Sequence, residues 1–312
     1  MDLHDAYALA RTDALVLRHS TPDILQMSGA DRLDFLNRIC TNELGGLLPG
    51  EYKSTLLTNA NARMVDILQV LQREDDALLL TSPNHGDLVR ERLSSYIFFQ
   101  DDVQIHPWNE NQFQFWGVYG PNGLKTIRNT TPSIAEFNSG EYQSYEDDFV
   151  IPYENDHLSG FHVLLNPGDE LDPSWDESTQ PVRMAAYQAL RIEAGIPEAD
   201  KEITEERIPL EIGLDDMISF TKGCYIGQEI ITRLDSRGGL ARRMVGIKLA
   251  QPAQEGSGIF QDGGAIGTLT SVAQSPRYGA IGLGIVRMKG LDRSAPVVVD
   301  GLNADFTSLP LE

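Results

Sequence analysis

The sequence predicts a mixed α+β protein of more than one lobe, ending in a small β-barrel. Three observations carry this. A chain of 312 residues exceeds one small core and suits two or three lobes. Up to about residue 236, hairpin-like runs lie beside helix-like runs with no regular strand–helix alternation. After Gly238-Gly239, short strand-like runs follow closely, separated by Gly, Pro, Asp and Ser.

In chain order, Asp23 to Gly29 reads as a short strand entering a turn. Asp31 starts a helix whose apolar residues Leu33, Phe35, Leu36 and Ile39 recur at helical spacing, ended by 41–46. Tyr52–Leu57 and Met64–Leu71 pair as a hairpin across the turn Asn59-Ala60-Asn61-Ala62. Ala77–Thr81 is a strand, Asn84–Phe99 a helix and Phe113–Tyr119 a strand. The polar, proline-flanked stretch 166–181 connects to a strong helix, Val182–Ala194, which Gly195 and Pro197 terminate. A helix-like stretch runs from Ile226 to Leu234. The barrel strands are 243–249, 258–260, 265–272, 280–286, 297–299 and 305–308. The expected division is 1–237, two interleaved α+β lobes, and 238–312, the barrel.

Composition excludes several classes. An apolar fraction of 41% fits a folded globular chain, and no apolar run reaches the ~18 residues of a membrane span. The acidic first thirty residues resemble neither a secretory signal nor a transit peptide, so a cytoplasmic location is expected. Two distant cysteines, Cys40 and Cys224, make no disulfide framework and cannot supply the four ligands of a typical iron–sulfur cluster. The histidines show no zinc spacing, and no metal site is expected. A net charge of −21 disfavours nucleic acid and anionic membrane as partners. Against this, residues 222–248 hold six basic and two acidic side chains. That island is either a dock for a small polyanion or a solvated face balancing neighbouring acids.

Three positions could carry chemistry. Cys224 lies in Lys222-Gly223-Cys224-Tyr225-Ile226-Gly227-Gln228-Glu229, before the helix-like stretch. A lysine and unpaired helix N–H groups favour a thiolate there, and the alternative is a buried small hydrophobe. Tyr225 adds a flat ring with a polar tip. Asp66, a lone acid in an apolar strand, is either exposed by alternation or buried and paired. Glu193 sits in the last turn of its helix, where the macrodipole disfavours negative charge, so it needs a donor. The two-donor edge of a pterin would serve, and so would an arginine.

The octapeptide 222–229 resembles the K-G-C-Y-x-G-Q-E signature of the YgfZ branch of the YgfZ/GcvT family of folate-binding proteins. Leu190–Pro197 is similar to the L-R-L-E-A-G-x-P stretch of the wider family, which includes the glycine-cleavage T-protein, and Arg38–Asn42 resembles its threonine–asparagine turn. The resemblance implies lobes around a central cavity that holds tetrahydrofolate or a derivative. It implies that Glu193 contacts the pterin, that Asp66 stands at the T-protein's catalytic acid, and that Cys224 marks the YgfZ branch. Lys222 and Tyr225 would flank the site, and Arg233 or Arg242 could face the glutamate tail. Three functions are open: a folate-binding protein of iron–sulfur cluster assembly or repair, a folate-dependent aminomethyltransferase, or a scaffold. The first would have assembly proteins or client enzymes as partners.

Overall fold

The computed structural model describes residues 1–108, 113–145, 148–169, 171 and 175–311, with Arg237 described by its backbone. The elements are α1 (Leu3–Thr12), β1 (Leu15–His19), β2 (Ile24–Ser28), α2 (Arg32–Ile39), β3 (Tyr52–Thr58), β4 (Met64–Gln72) and β5 (Asp76–Leu80). Next come α3 (Gly86–Ser94), β6 (Gln104–Pro107), β7 (Gln114–Tyr119), α4 (Gly123–Thr130), β8 (Gln143–Tyr145), β9 (Asp148–Tyr153) and β10 (Gly160–Leu165). The chain continues through α5 (Gln180–Ala194), α6 (Gln228–Arg237), β11 (Arg242–Leu249), β12 (Gly258–Gln261), β13 (Gly264–Ser275), β14 (Gly279–Arg287), β15 (Val297–Val299) and β16 (Leu302–Thr307).

The fold is mixed α+β, as the sequence predicts. β1, β7, β10, β9 and β8 form one five-stranded sheet, and β3, β4, β5, β2 and β6 form a second. The chain therefore leaves the first sheet after β1, builds the whole second sheet, and returns. β11 to β16 close into a six-stranded barrel in the order β11-β14-β13-β12-β15-β16. Its interior is filled by small branched residues such as Val245, Ile247, Ile259, Leu269 and Val286.

Local chemistry accounts for the elements. Asp2 caps α1 with a reciprocal bond to Asp5. The β3–β4 hairpin turns through Ala62, whose φ of +57° is unusual for a side-chain-bearing residue. α5 ends on Gly195 at φ +73°, the left-handed cap expected of that glycine. α3 is shorter than the expected 84–99: it stops at Ser94, and Ile97 to Asp101 form turns held by the Asp101 carboxylate.

α5 joins the lobes. Ala186 and Ala189 give it a low-profile face that lets α1 and β1 pack closely, while Arg191 and Glu193 reach the barrel. The segment 198–211 then straps the barrel to the second sheet. Lys201 pairs Glu255 at 2.9 Å, His85 approaches Asp200, and the Met64 amide donates to the Arg207 carbonyl. The central core holds Ile203 to Ile218 of this region with Leu56, Met64, Ile231 and Ile281.

Candidate functional site

A hollow of about 680 Å³ opens where the two sheets and the end of α5 meet. Its wall includes Tyr52, Lys53 and Ser54 of β3, Gln69 of β4, Tyr153 at the end of β9, and Glu154 and Asn155 after it. Ala194 to Pro197, Leu214, Asp216 and Met217 also line it, with Asn42 and Glu51. Strand alternation decides which side chains of the hairpin look inward. Ser54 pairs with Gln69 and Leu56 with Ile67, so these four share one face. Leu56 and Ile67 pack into the central core, next to the hollow on the same face.

Asp66 is one residue out of step with them and points to the opposite face. It is fully buried there. Its carboxylate accepts the Ser82 amide at 2.9 Å and the Ser82 hydroxyl at 2.5 Å. The His85 Nδ1 lies 3.3 Å away without the alignment of a hydrogen bond. Burial raises the Asp66 carboxyl above the usual range, with the Ser82 bonds opposing. Of the two sequence alternatives, burial with partners is the one realised. The side chain does not line the hollow.

Glu193 is also committed elsewhere. Tyr7 donates its hydroxyl at 2.7 Å and Arg11 approaches at 3.2 Å, both to Oε2, while Ser275 donates at 2.5 Å to Oε1. The Tyr7 hydroxyl is pushed up to about 12 by burial and by the glutamate. The compensating donors that the helix terminus demands are, within the chain, two hydroxyls and an arginine. Glu193 clamps α1, α5 and the barrel together, and only its successors Ala194 to Pro197 reach the hollow.

The 222–229 loop is built for packing. The Lys222 ammonium donates to the carbonyls of Asn37, Cys40 and Asn42 at 2.7, 2.7 and 2.6 Å, closing the C-terminal end of α2. Burial lowers it to about 8. It also lies 5.1 Å over the ring of Tyr225, which is buried in the central core with its hydroxyl unpartnered among the described residues. Gly227 sits at φ +85°, and a Cβ there would meet the backbone of Asn59 and Ala62 at 3.0 Å. Thr58 donates to the Ile226 carbonyl at 2.8 Å. Between these anchors Cys224 is exposed, which removes the buried-hydrophobe alternative, whereas Cys40 is buried and its thiol is pushed up to about 12 by desolvation. The lysine expected to favour a Cys224 thiolate is instead spent on α2.

Arg233 is exposed on α6, and Arg242 opens β11 opposite Arg287. Neither lines the hollow. Asp66, Glu193 and Cys224 are likewise not among the residues that line this hollow.

Comparison with known proteins follows this architecture. Residues 242–307 match the glycine cleavage T-protein C-terminal barrel domain. The fold aligns with the crystal structure of glycine cleavage system aminomethyltransferase T from Bartonella henselae at a TM-score of 0.81. That match has 19% identity and covers 99% of this chain and 89% of that one. A chloroplastic protein of Arabidopsis thaliana named "Putative transferase" is 32% identical over 88% of this chain and 66% of its own length. The aminomethyltransferase of Bacillus subtilis is 24% identical over 84% of this chain and 76% of its own.

Residues 242–307 thus carry the T-protein barrel domain, and the whole chain has the T-protein fold. It spans just under two thirds of the plant relative's length. In this T-protein-like chain the hollow is lined at residues the motifs do not mark: Tyr52, Lys53, Ser54, Gln69, Glu154 and Asn155. The visible signal was the polar run Tyr52-Lys53-Ser54-Thr55 in an otherwise apolar hairpin. Asn42, from the quoted threonine–asparagine turn, does line the hollow and holds the Ser54 carbonyl at 2.9 Å. Among the described residues, no helix is long and apolar enough to cross a membrane, and no cluster of His, Cys, Asp or Glu has metal-binding geometry.

Proposed function

We propose that the protein binds a reduced folate in the central hollow and works as a folate-dependent transferase of the T-protein kind. The observation that carries this is the hollow itself. It lies between the lobes of a T-protein-like fold and is bordered by Ala194 to Pro197 of the family-like stretch. Its residues fit the ligand's chemistry. A volume of about 680 Å³ is within the range of small-molecule sites. Glu51, Glu154 and Asp216 supply carboxylates that can accept a two-donor pterin edge. Gln69 offers both donor and acceptor, and Asn155 an amide donor. A tetrahydrofolate bound there supplies the amine that carries a one-carbon unit. The chain's share is to orient it against Ile196 and Pro197 and to limit water. Asp66, on the far face of β4, holds Ser82 through two hydrogen bonds.

Calorimetric titration with tetrahydrofolate tests this. A saturable single site is expected, weakened in Gln69→Leu, and an absence of heat sinks the reading. Ammonia release from an aminomethyl-lipoyl carrier in the presence of tetrahydrofolate then tests aminomethyl transfer itself.

A second reading, a folate-binding role in iron–sulfur cluster assembly or repair, is favoured by one feature. Cys224 is an exposed thiol inside K-G-C-Y-x-G-Q-E, and a T-protein chemistry has no use for it. Its partners would be assembly proteins or client enzymes. Replacing Cys224 by alanine in cells should lower cluster-enzyme activities, and unchanged activities at normal protein levels would remove this role.

A further inference from the structure

β1, β7 and β10 are neighbours in the first sheet, and their register gathers three side chains far apart in the chain. His19 lies opposite Phe115, His162 lies opposite Gly117, and Tyr119 follows Gly117 by two residues on the same strand. His19, Tyr119 and His162 therefore share one face. Their polar atoms meet there: the Tyr119 hydroxyl is 2.8 Å from His19 Nε2 and 3.1 Å from His162 Nε2. Gly117 makes the convergence possible. A Cβ at that position would lie 2.6 Å from His19 Nε2 and 2.5 Å from the Tyr119 ring. Glycine weakens a strand interior, and here it leaves the room in which the rings come together.

One hydroxyl proton serves only one of the two nitrogens, so the second contact needs an imidazole protonated on Nε2. With both Nε2 lone pairs free, the same three atoms form a donor set aimed at one point. In a four-coordinate site with bonds of about 2.0–2.2 Å, neighbouring donors lie roughly 3.3 Å apart. Both measured contacts are within about half an ångström of that spacing. Adjacent strands carry all three donors, so the sheet sets their positions in advance. Tyr119 is fully buried, whereas His19 and His162 are half-buried, which leaves an ion a way in from the imidazole side. The net charge of −21 favours a cation. His, Cys, Asp and Glu alone form no such group among the described residues, because the third donor here is a phenol. None of the three lines the hollow, although Tyr153, 4.6 Å from His162 between ring centroids, does.

We propose that His19, His162 and Tyr119 bind a divalent first-row transition ion, Cu²⁺ or Zn²⁺, through the two Nε2 atoms and the phenolate oxygen, with water completing the set. Both imidazoles take the tautomer protonated at Nδ1, and the phenol proton leaves to solvent as the ion enters. The ion then ties β1, β7 and β10 together where a single shared proton did so before. Imidazole suits both ions, and Cu²⁺ is held more tightly than Zn²⁺ by such donors. The site stands whether or not the hollow binds a folate.

The test uses the full chain, treated with a chelator and then titrated with Cu²⁺ under visible absorption, with Zn²⁺ titrated in parallel by calorimetry. Wild type should take up one equivalent of Cu²⁺ and develop a phenolate-to-copper charge-transfer band. Either ion should raise the melting temperature, since it binds the folded chain. Tyr119→Phe should abolish the band and weaken binding about tenfold or more. His162→Gln should lose the band as well, and it decides the matter if Tyr119→Phe does not fold. Copper bound by wild type without that band sits on surface histidines only, and overturns the proposal. A band that survives in a folded Tyr119→Phe or His162→Gln does the same, as does a melting temperature that neither ion moves.

Discussion

Two acids that sequence chemistry singled out, Asp66 and Glu193, turn out to be occupied, each by partners from distant segments. For Glu193 this predicts a structural phenotype. Alanine would leave the Tyr7 and Ser275 hydroxyls without their acceptor, at a cost of about 2–4 kcal/mol by urea denaturation. The Arg11 pair adds little, since that side chain is 47% exposed. Asp66 predicts a pH effect. Its carboxyl is raised above the ordinary 3.8, so the folded chain holds that proton where the unfolded chain has lost it. Its contribution to stability therefore falls as pH rises from 3.8 through the folded value. Asp66→Asn does not ionise, keeps the Ser82 amide on its one oxygen with the Ser82 hydroxyl turned to accept from its NH2, and should flatten that slope, measured as melting temperature against pH. The two thiols should also separate. An alkylating reagent at neutral pH is expected to label Cys224 and not Cys40 in the native protein, and both in denaturant.

Among the elements, those with strong local signals were legible. The hairpin of β3 and β4, the helix α5 with its Gly195 cap, and the run of barrel strands follow from alternation, periodicity and turn residues. α1, β1, α4 and β8 to β10 had no such signal. α1 buries only Ala6 and Tyr7, and β8 is three residues, Gln143–Tyr145, on a sheet edge. Their structure depends on the surfaces they pack against. The 222–229 loop shows the reverse case, a clear motif whose local meaning changes in context. Lys222 acts as a cap for α2, a helix nearly two hundred residues earlier. Lys222→Met should cost about 1–3 kcal/mol and speed amide exchange at the C-terminal end of α2.

At the scale of the whole molecule, buried polar ties hold the lobes in register. Glu202, fully buried, accepts the Ser271 hydroxyl of the barrel at 2.7 Å and the Glu198 amide at 3.0 Å, and Ser271 in turn accepts Arg191 at 2.8 Å. Glu202→Ala leaves the buried Arg191 and Ser271 under-satisfied, at a cost of about 3 kcal/mol. Calorimetry should then show the barrel melting ahead of the rest, while an unsplit, unshifted transition would contradict this tie.

The amino-acid order by itself determined the α+β class, the strand-rich end that closes as a barrel, and the family-like stretches at 190–197 and 222–229. Those properties are written in neighbouring residues: period, turn chemistry and short motifs. Which side chains meet in the hollow was decided only by tertiary structure. A strand presents alternate residues to opposite faces, so a single step separates Asp66 from the cavity side. The partners that occupy Glu193 and Lys222 come from segments 82 to 186 residues away, which no local pattern can report.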